Sequence, residues 1–412
     1  MYKAHIMKNV LFILHLLVIS HILSAQKKDD AAGQVKEKVI EWRRHIHENP
    51  ELSFKETQTA DYVESILKSF GNIEVRRPAK TSVLGILKGA KQGKTVAFRA
   101  DMDALPVQEE TGLSYASKVP GVSHACGHDA HTAMLLGTAA TLSKMQKELQ
   151  GTIYFIFQHA EEHDPGGALD IINSGELKGV NAIFGMHVLP NFPAGQIGIL
   201  PKGAASTAAD GFNLTIQGKG SHGSMPHLGV DPVVTGAEIV IALQTIVSRN
   251  IPPGEMAVVT IGKFQSGNAY NVIPDKAELA ATIRSVTEAS RKLIEQRVRD
   301  IIDNISKSNG ATYKLDYFRS YPAIQNDSAL VDFVKASVTK SIGAAQVFEA
   351  PGMTASEDFS YYHNVAPVCF FTLGIGPGVA NHNPKFNPDE SAFNNGVRVE
   401  VQVILDYLKM KM

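Results

Sequence analysis

A ten-residue stretch in the first third of the chain combines one thiol, three imidazoles and a carboxylate. It reads Ser123-His124-Ala125-Cys126-Gly127-His128-Asp129-Ala130-His131-Thr132. The run 133–142 that follows is rich in Ala and Leu, which indicates a helix. A thiolate and neutral imidazoles are preferred ligands of zinc and of metals with similar chemistry. Cys126 and His128 could therefore bind one ion from the turn before this helix; a surface loop that is merely rich in histidine is the alternative.

The length and composition indicate a globular protein with a large core. At 412 residues the chain is long for one domain and favours two. Its hydrophobic content of 44% and charged content of 20% are typical of globular proteins. The formal net charge of −1 argues against a nucleic-acid-binding protein.

The first 25 residues have the pattern of a targeting segment. Lys3 and Lys8 precede the apolar run 10–23, and the small residues Ser24 and Ala25 follow it. The run has about 14 residues, fewer than the roughly 20 of a bilayer-spanning helix. We expect a signal peptide over residues 1–25, export to the periplasm or the medium, and no stable membrane span after processing. A membrane-tethered, uncleaved form is the alternative.

Export would allow a disulfide, but the two cysteines are not expected to form one. Cys369 lies in the apolar run 366–371, which is typical of a buried strand, whereas Cys126 lies among histidines. A thiol in a buried strand usually acts as a small hydrophobic side chain. We therefore expect a structural role for Cys369 and a chemical role for Cys126.

Ligand-type side chains follow four apolar, strand-like runs. Asp101 and Asp103 follow 95–99, Glu161 and Glu162 follow 152–157, His187 ends 182–186, and His382 follows the Cys369 run after a longer loop. The run 152–157 has no polar alternation, which indicates burial on both faces. Helical segments alternate with these strands, and sites in open α/β sheets form beyond the carboxyl ends of strands. The sequence predicts an α/β domain, a mixed sheet with helices on both faces, with a site at that edge.

The segment between residues 204 and 318 has a pattern of its own. Strand-like 212–217 precedes a helix opened by Asp231 and Pro232, strands near 257–264 and 277–284, a helix over 288–308 and a strand at 311–318. This β-α-β-β-α-β order is typical of a ferredoxin-like α+β unit. We therefore expect an inserted domain over 204–318 that divides the sheet domain into residues 26–203 and 319–412.

Five side chains are candidate metal ligands: Cys126, His128, Glu162, His187 and His382. One tetrahedral ion needs fewer, whereas two divalent ions that share a bridging ligand and a water would use all five. Cys126 is a candidate bridge because sulfur can bind two metals. Glu161 would then take a proton from the water as general base, and Asp103 could orient a ligand imidazole. A solvated turn for the two glutamates and a hydrogen-bonded buried His187 are the alternatives.

Motifs along nearly the whole mature chain resemble one family. They are RRHIHENPE (43–51), RADMDALP (99–106), HACGHD (124–129), AEE (160–162), MH (186–187), NVIPD (271–275), SEDF (356–359) and HNPKF (382–386). In this order they resemble the metal-dependent amidohydrolases that include hippurate hydrolases, bacterial aminoacylases and plant auxin-conjugate hydrolases. The resemblance implies hydrolysis of a small N-acyl amino acid, hippurate-like or N-acetylated, to a carboxylic acid and a free amino acid.

The resemblance also implies roles for particular residues. The five candidate ligands would hold two divalent ions per subunit, Mn²⁺ or Zn²⁺ or else Co²⁺ or Ni²⁺, with Glu161 as base. The inserted domain would be the family's lid and dimerisation domain, which implies a homodimer or homotetramer. Within it, His222 would hold the substrate or the developing oxyanion, and Asn271 and Arg284 would bind the substrate carbonyl and carboxylate.

Two other functions stay open at this point. A deacetylase of N-acetylated diamino acids or a dipeptidase would use the same architecture. A metal-containing binding protein for acylated amino acids belongs to a different class, but it would have no evident use for a carboxylate such as Glu161 that is not itself a ligand. The presence of Glu161 therefore favours an enzyme.

Overall fold

The computed structural model describes residues 32–410, so the targeting segment predicted over residues 1–25 lies outside the described part. The chain forms two compact units. The first contains the described residues up to Ile199, Ala329–Ala350 and the residues from Val365 onward; the second contains Leu200–Ser328 and Pro351–Asn364. The insertion expected over 204–318 lies within the second unit. That unit also includes 200–203, 319–328 and 351–364, which the sequence pattern had assigned to the sheet domain.

Helices and strands alternate through much of the described chain. The α-helices are α1 (Lys36–Glu48), α2 (Thr57–Ser69), α3 (His128–Ser143), α4 (Ala168–Asn173), α5 (Pro232–Thr245), α6 (Glu288–Ser308), α7 (Ser328–Ile342) and α8 (Phe393–Lys409). The strands are β1 (Glu74–Arg76), β2 (Val83–Lys88), β3 (Lys91–Asp101), β4 (Gln150–Gln158), β5 (Ala182–Leu189), β6 (Ile197–Ile199), β7 (Gly203–Ala204), β8 (Ala208–Gln217), β9 (Ser221–His222), β10 (Ala257–Ser266), β11 (Val272–Ile273), β12 (Lys276–Ser285), β13 (Thr312–Arg319), β14 (Gln325–Asn326), β15 (Val347–Glu349) and β16 (Val368–Gly374).

An eight-stranded mixed sheet forms the centre of the first unit. Its strand order is β1-β2-β4-β3-β5-β16-β6-β15. The neighbours β4, β3, β5 and β16 are parallel, whereas β1, β2 and β4 pair antiparallel. The carboxyl ends of the four parallel strands therefore lie along one edge, where the site was predicted.

Both faces of this sheet are covered. Phe98, Phe155 and Phe184 point to one face and join a core that includes residues of α1, α2, α3, α7 and α8. Ala97 and Ile183, which alternate with them along the strands, are also fully buried. Burying each phenylalanine ring contributes on the order of 2 kcal/mol. The missing polar alternation thus reflected burial on both sides, as predicted. Cys369 belongs to the same core, and Cys126 and Cys369 are buried thiols rather than a disulfide pair.

The second unit has the predicted β-α-β-β-α-β order in β8, α5, β10, β12, α6 and β13. Its four strands form an antiparallel sheet in the order β10-β12-β8-β13. Asp231 caps α5, since its side chain accepts from the N–H groups of Val233 and Val234, and Pro232 occupies the first turn. Both β10 and β13 are edge strands.

Among the described residues, the helical stretch Pro232–Asn250 is long and apolar enough to cross a bilayer, by length and composition alone. Ile239, Leu243 and Ile246 bury one side of this stretch in the core of the second unit. Val234 and Ile241 are exposed. The stretch therefore packs as a helix that covers a sheet and leaves some aliphatic side chains on its outer side, beside the exposed Glu238 and Gln244.

Candidate active site

Cys126 lies in the turn before α3, and His128 lies at the start of this helix. Gly127 between them has a φ of +97°. A Cβ at this position would lie 2.4 Å from Val188 Cγ2, so only glycine lets the turn approach β5 so closely. His128 is the first residue of α3, and every residue of this helix is buried. The turn and the helix thereby hold both side chains at the carboxyl edge of the sheet.

Donor atoms of the five predicted ligands meet in two groups of three. One group is Cys126, His128 and His187, and the other is Cys126, Glu162 and His382. Within each group the donor atoms all lie within 4.8 Å of one another. Cys126 belongs to both groups, as a ligand that bridges two ions must. His187 lies inside β5, which continues to Leu189, rather than just past the end of the strand as predicted.

Several of these donor atoms lie close to one another. Cys126 Sγ lies 3.5 Å from His187 Nε2, and Glu162 Oε1 lies 3.3 Å from His382 Nε2. Glu162 Oε1 and His128 Nε2 are buried without a hydrogen-bond partner among the described residues, and they lie 3.8 Å from each other. Such burial costs about 1–3 kcal/mol per atom. A cation among these atoms would satisfy them, so the residues fit a metal.

Hydrogen bonds orient two of the imidazoles toward this cluster. His128 Nδ1 donates to the main-chain oxygen of Asp103 at 3.0 Å and to its Oδ1 at 3.1 Å. His187 Nδ1 donates to the Val188 carbonyl at 2.8 Å. Because Nδ1 of each ring is engaged as a donor, Nε2 is the nitrogen that faces the cluster. Asp103 therefore lies where its predicted orienting role requires.

The loop that carries His382 is tied to the Cys126 turn. The main-chain N–H of His382 donates to the Ala125 carbonyl at 2.7 Å, and the Asn381 side chain donates to the Cys126 carbonyl at 2.9 Å. His382 has a φ of +67°. This left-handed conformation costs a non-glycine residue about 1–3 kcal/mol, and such strain is concentrated at functional sites.

Burial and nearby carboxylates set the protonation of the cluster. Burial alone would lower the pKa of His128, but Asp101 and Asp103 outweigh it and raise the pKa to about 10. Burial and then His131 lower the pKa of His187. Burial, followed by the charge of Glu162, raises the pKa of the Cys126 thiol. The carboxylates thus make a negative environment in which a cation is favoured.

Both glutamates of the adjacent pair face this cluster. Glu162 Oε1 lies 3.8 Å and Glu161 Oε2 lies 4.0 Å from His128 Nε2. Glu161 is only 7% exposed. Their distances from His128 Nε2 therefore do not distinguish the ligand from the base. Both glutamates form a group with His128, and Glu162 also forms one with Cys126 and His382, as its predicted role as a ligand requires.

A buried network around Asp101 was not assigned from the sequence. Arg99 Nη1 donates to Asp101 Oδ2 at 2.6 Å, and His131 Nδ1 donates to Asp101 Oδ1 at 2.6 Å. The Val188 N–H in turn donates to His131 Nε2 at 2.9 Å. Asp101 and His131 thereby join β3 to the backbone next to His187. The signal was present, since Asp101 belongs to the motif over 99–106 and His131 to the stretch over 123–132.

A second unassigned network explains the motif over 43–51. Arg43 Nε donates to Asp129 Oδ2 at 2.8 Å, and His47 Nδ1 donates to the same oxygen at 2.7 Å. Burial alone would raise the pKa of Asp129, but Arg43 and His47 hold it well below its usual range. Asp129 follows His128, so these contacts anchor the first turn of α3.

The residues expected to bind substrate lie in the second unit. His222 and Asn271 are exposed neighbours, because β9 pairs with β11 and the Gly223 N–H donates to the Asn271 carbonyl at 2.8 Å. Arg284 lies on β12 and is partly buried, and its Nη1 donates to the Thr282 hydroxyl at 2.7 Å. The structure thus brings the first two together and places the arginine on the four-stranded sheet.

Comparison with known proteins gives the family. Residues 97–406 match peptidase family M20/M25/M40. The N-acyl-L-amino acid amidohydrolase of Geobacillus stearothermophilus is 46% identical over 293 residues, which cover 71% of this chain and 79% of that protein. The N-acetylcysteine deacetylase of Bacillus subtilis is 39% identical over 357 residues, covering 86% and 93%. The YXEP protein of Bacillus subtilis, whose crystal structure is described as a dinuclear metal binding peptidase from the M20 family, aligns with a TM-score of 0.81 at 34% identity, covering 92% of this chain and 100% of that one. The chain therefore belongs to peptidase family M20/M25/M40 and is a hydrolase of amide bonds.

Proposed function

We propose that this protein hydrolyses the amide bond of N-acyl amino acids, with N-acetyl and hippurate-like compounds as its substrate class. The products are a carboxylic acid and a free amino acid. The observation that carries the proposal is the pair of three-ligand groups joined at Cys126, with the Glu161 carboxylate beside them. The amidohydrolase and deacetylase names of two relatives support the substrate class.

Two divalent ions would be held by the five candidate ligands, with Cys126 as the bridge. When bound, such ions polarise a carbonyl and activate a water. The thiolate and imidazole donors suit Zn²⁺, Co²⁺ and Ni²⁺, and the carboxylate also suits Mn²⁺. The buried and unsatisfied His128 Nε2 and Glu162 Oε1 support this assignment, because a cation would remove the cost of burying them.

Glu161 serves as the general base. Its carboxylate is nearly buried and lies next to the ligand cluster. From there it takes a proton from the attacking water and gives it to the leaving amine nitrogen, so that the free amino acid departs neutral at nitrogen. Asp103 supports the same site, because its carboxylate accepts a hydrogen bond that orients the His128 ring.

The second unit supplies the groups that recognise the substrate. The guanidinium of Arg284 binds the carboxylate of the amino acid, because its planar fork matches that group. Asn271 binds the carbonyl, and His222 holds the substrate or the developing oxyanion. The pairing of β9 with β11 supports a common role for these last two residues.

The second unit also forms the interface of a homodimer. A homotetramer could contain two such dimers. β10 is an edge strand, and Val233, Val234 and Ile241 on α5 are exposed. An open strand edge and an apolar helix side are surfaces that proteins usually cover.

The mature protein acts outside the cytoplasm, after removal of residues 1–25. Lys3, Lys8 and the apolar run behind them support export. Mass spectrometry of the protein recovered from the periplasm or medium of its host should give a first residue of Gln26. A cytoplasmic protein that retains Lys3 and Lys8 would contradict this proposal.

A substrate panel tests the proposed reaction. The protein, supplied in turn with Mn²⁺, Zn²⁺, Co²⁺ and Ni²⁺, is assayed on hippurate, N-acetyl amino acids, N-acetylated diamino acids and dipeptides. We expect the highest kcat/KM on an N-acyl amino acid. Preference for a diamino acid derivative or a dipeptide would favour those alternatives, and binding of acylated amino acids without turnover would indicate a binding protein.

A further inference from the structure

Two buried carboxylates hold the backbone on either side of Glu161. Glu56 Oε1 accepts the N–H of Ala160 at 2.8 Å, and Asp103 Oδ2 accepts the N–H of Glu162 at 2.9 Å. Glu56 is 0% exposed and Asp103 is 1% exposed. The residue between these two anchored amides is the proposed base.

The backbone that Glu56 holds is strained. Ala160 has a φ of +51° and Phe54 has a φ of +65°. Both donate their N–H to the same atom, Glu56 Oε1, at 2.8 Å and 3.0 Å. Residues with a β-carbon stay in the left-handed region only where their surroundings stabilise it. A single oxygen therefore stabilises two strained turns that are far apart in the sequence.

Asp103 links the same two turns a second time. Its Oδ2 accepts the Ser53 hydroxyl at 2.6 Å as well as the N–H of Glu162. The turn over 53–56 and the turn over 160–162 are thus joined through two buried carboxylates. Rotation at Ala160 would redirect the Glu161 side chain, and these contacts oppose that rotation.

We propose that Glu56 is a positioning residue for Glu161: its buried acceptor oxygen holds Ala160 in the left-handed conformation that aims the Glu161 carboxylate at the site. This inference rests on the proposed role of Glu161 as base. Helix capping does not account for the buried Glu56 side chain, because Glu56 precedes α2 without a side-chain capping bond.

The acceptor oxygen, rather than the charge, is what the arrangement uses. Burial, and then the neighbouring Asp103 carboxylate, raise the pKa of Glu56 to about 7. A glutamine can present the same oxygen to both N–H groups without a charge to bury. Glu56→Gln and Glu56→Leu therefore separate the acceptor from mere bulk.

The test compares these two variants with Thr81→Val in the metal-loaded enzyme. Thr81→Val removes a hydroxyl that donates to Glu56 Oε2 at 3.0 Å and leaves the Oε1 contacts in place. Metal content, kcat and KM are measured for each on the best N-acyl amino acid. We expect kcat of Glu56→Leu to fall about 100-fold, with metal content and KM within about twofold of wild type, because a misaimed base slows only the chemical step. Glu56→Gln and Thr81→Val should retain kcat within about fivefold.

Two outcomes would overturn the inference: a folded, metal-loaded Glu56→Leu with nearly wild-type kcat, or equal losses of kcat in the Leu and Gln variants. Amide hydrogen exchange in the wild type supplies a readout that needs no variant. Slow exchange at Ala160 and Glu162 supports the anchoring, and exchange at the rate of an open loop contradicts it. If Glu161→Gln keeps its turnover, the base role fails instead, whatever the exchange data show.

Discussion

Helices α3 and α5 are both rich in small and aliphatic residues, but their surroundings differ. Every residue of α3 is buried, and its first turn brings His128 to the ligand cluster. On α5 the outward residues Val233, Val234 and Ile241 are 39%, 52% and 71% exposed. Aliphatic side chains of a helix normally face the core. The first unit buries α3 completely, whereas the second leaves three aliphatic side chains of α5 exposed beside the polar Glu238 and Gln244.

The two regions differ in which of their groups lack a partner. At the carboxyl edge of the large sheet, buried polar atoms lack partners, which indicates a site for a small charged group. On the second unit, apolar side chains lack cover, which indicates a surface for another protein chain. Changes in the two regions should therefore have different consequences: loss of catalysis or of fold in the first, and loss of association in the second.

The largest effect is expected at Glu161. Glu161→Gln should lower kcat by about 10³-fold or more. A general base contributes a rate factor of about 10²–10⁴, and without it only water remains to accept the proton. Metal content should stay at the wild-type value, since Glu161 is not one of the proposed ligands. Steady-state kinetics and elemental analysis check both. Glu148→Gln, at an exposed position, is the control and should have no effect.

Loss of the Arg43 contact should destabilise the first turn of α3. Arg43→Leu leaves Asp129 buried without its guanidinium, which should cost about 3–5 kcal/mol of unfolding free energy. Urea denaturation measures this change. The adjacent Arg44 makes a partly exposed contact with Glu390, so Arg44→Leu should cost at most about 1 kcal/mol. Similar losses for both variants would contradict the importance of burial here.

A third effect concerns the surface where α8 covers α3. Glu400 is buried there, and its Oε2 accepts the Thr138 hydroxyl at 2.6 Å. Burial raises its pKa from 4.5 to about 8. Below pH 4.5 both folded and unfolded forms are protonated; between pH 4.5 and 8 only the unfolded form ionises, so stability falls as pH rises.

The prediction is that Glu400→Gln gains stability over wild type as pH increases, because an amide does not ionise. The gain should be below about 1 kcal/mol at pH 5 and reach on the order of 4 kcal/mol near pH 8, since one pKa unit corresponds to about 1.4 kcal/mol. Thermal or urea unfolding at both pH values measures it. A difference between the two proteins that does not change with pH would show that Glu400 is not protonated in the fold.

Much of the fold could be predicted because its signals are local. Helix 288–308 has the bounds that the sequence pattern indicated. The five candidate ligands could be selected by their chemistry, and Glu162, His187 and His382 also by their positions after strand-like runs. Their convergence agrees with the order of the parallel strands, whose carboxyl ends share one edge.

The remaining features depend on contacts between distant residues. The bond from Ala160 to Glu56 and the ion pair of Arg43 with Asp129 have no sequence pattern, because each joins segments far apart in the chain. Strands of three residues, such as Ile197–Ile199, are too short to show a period. The inclusion of 351–364 in the second unit likewise depends on tertiary packing alone.

The smallest change in free energy is expected at the uncovered side of α5. Ile241→Lys should weaken self-association at least tenfold, a change of about 1.4 kcal/mol, because association would have to bury the ammonium group. Light scattering over a dilution series measures it, and the unfolding free energy of the monomer should not change since Ile241 is exposed. Val119 is an exposed valine in the first unit, and Val119→Lys should leave the association unchanged. If Ile241→Lys associates like the wild type, α5 is not the interface. Its exposed aliphatic side chains are then not covered by a second copy of this chain.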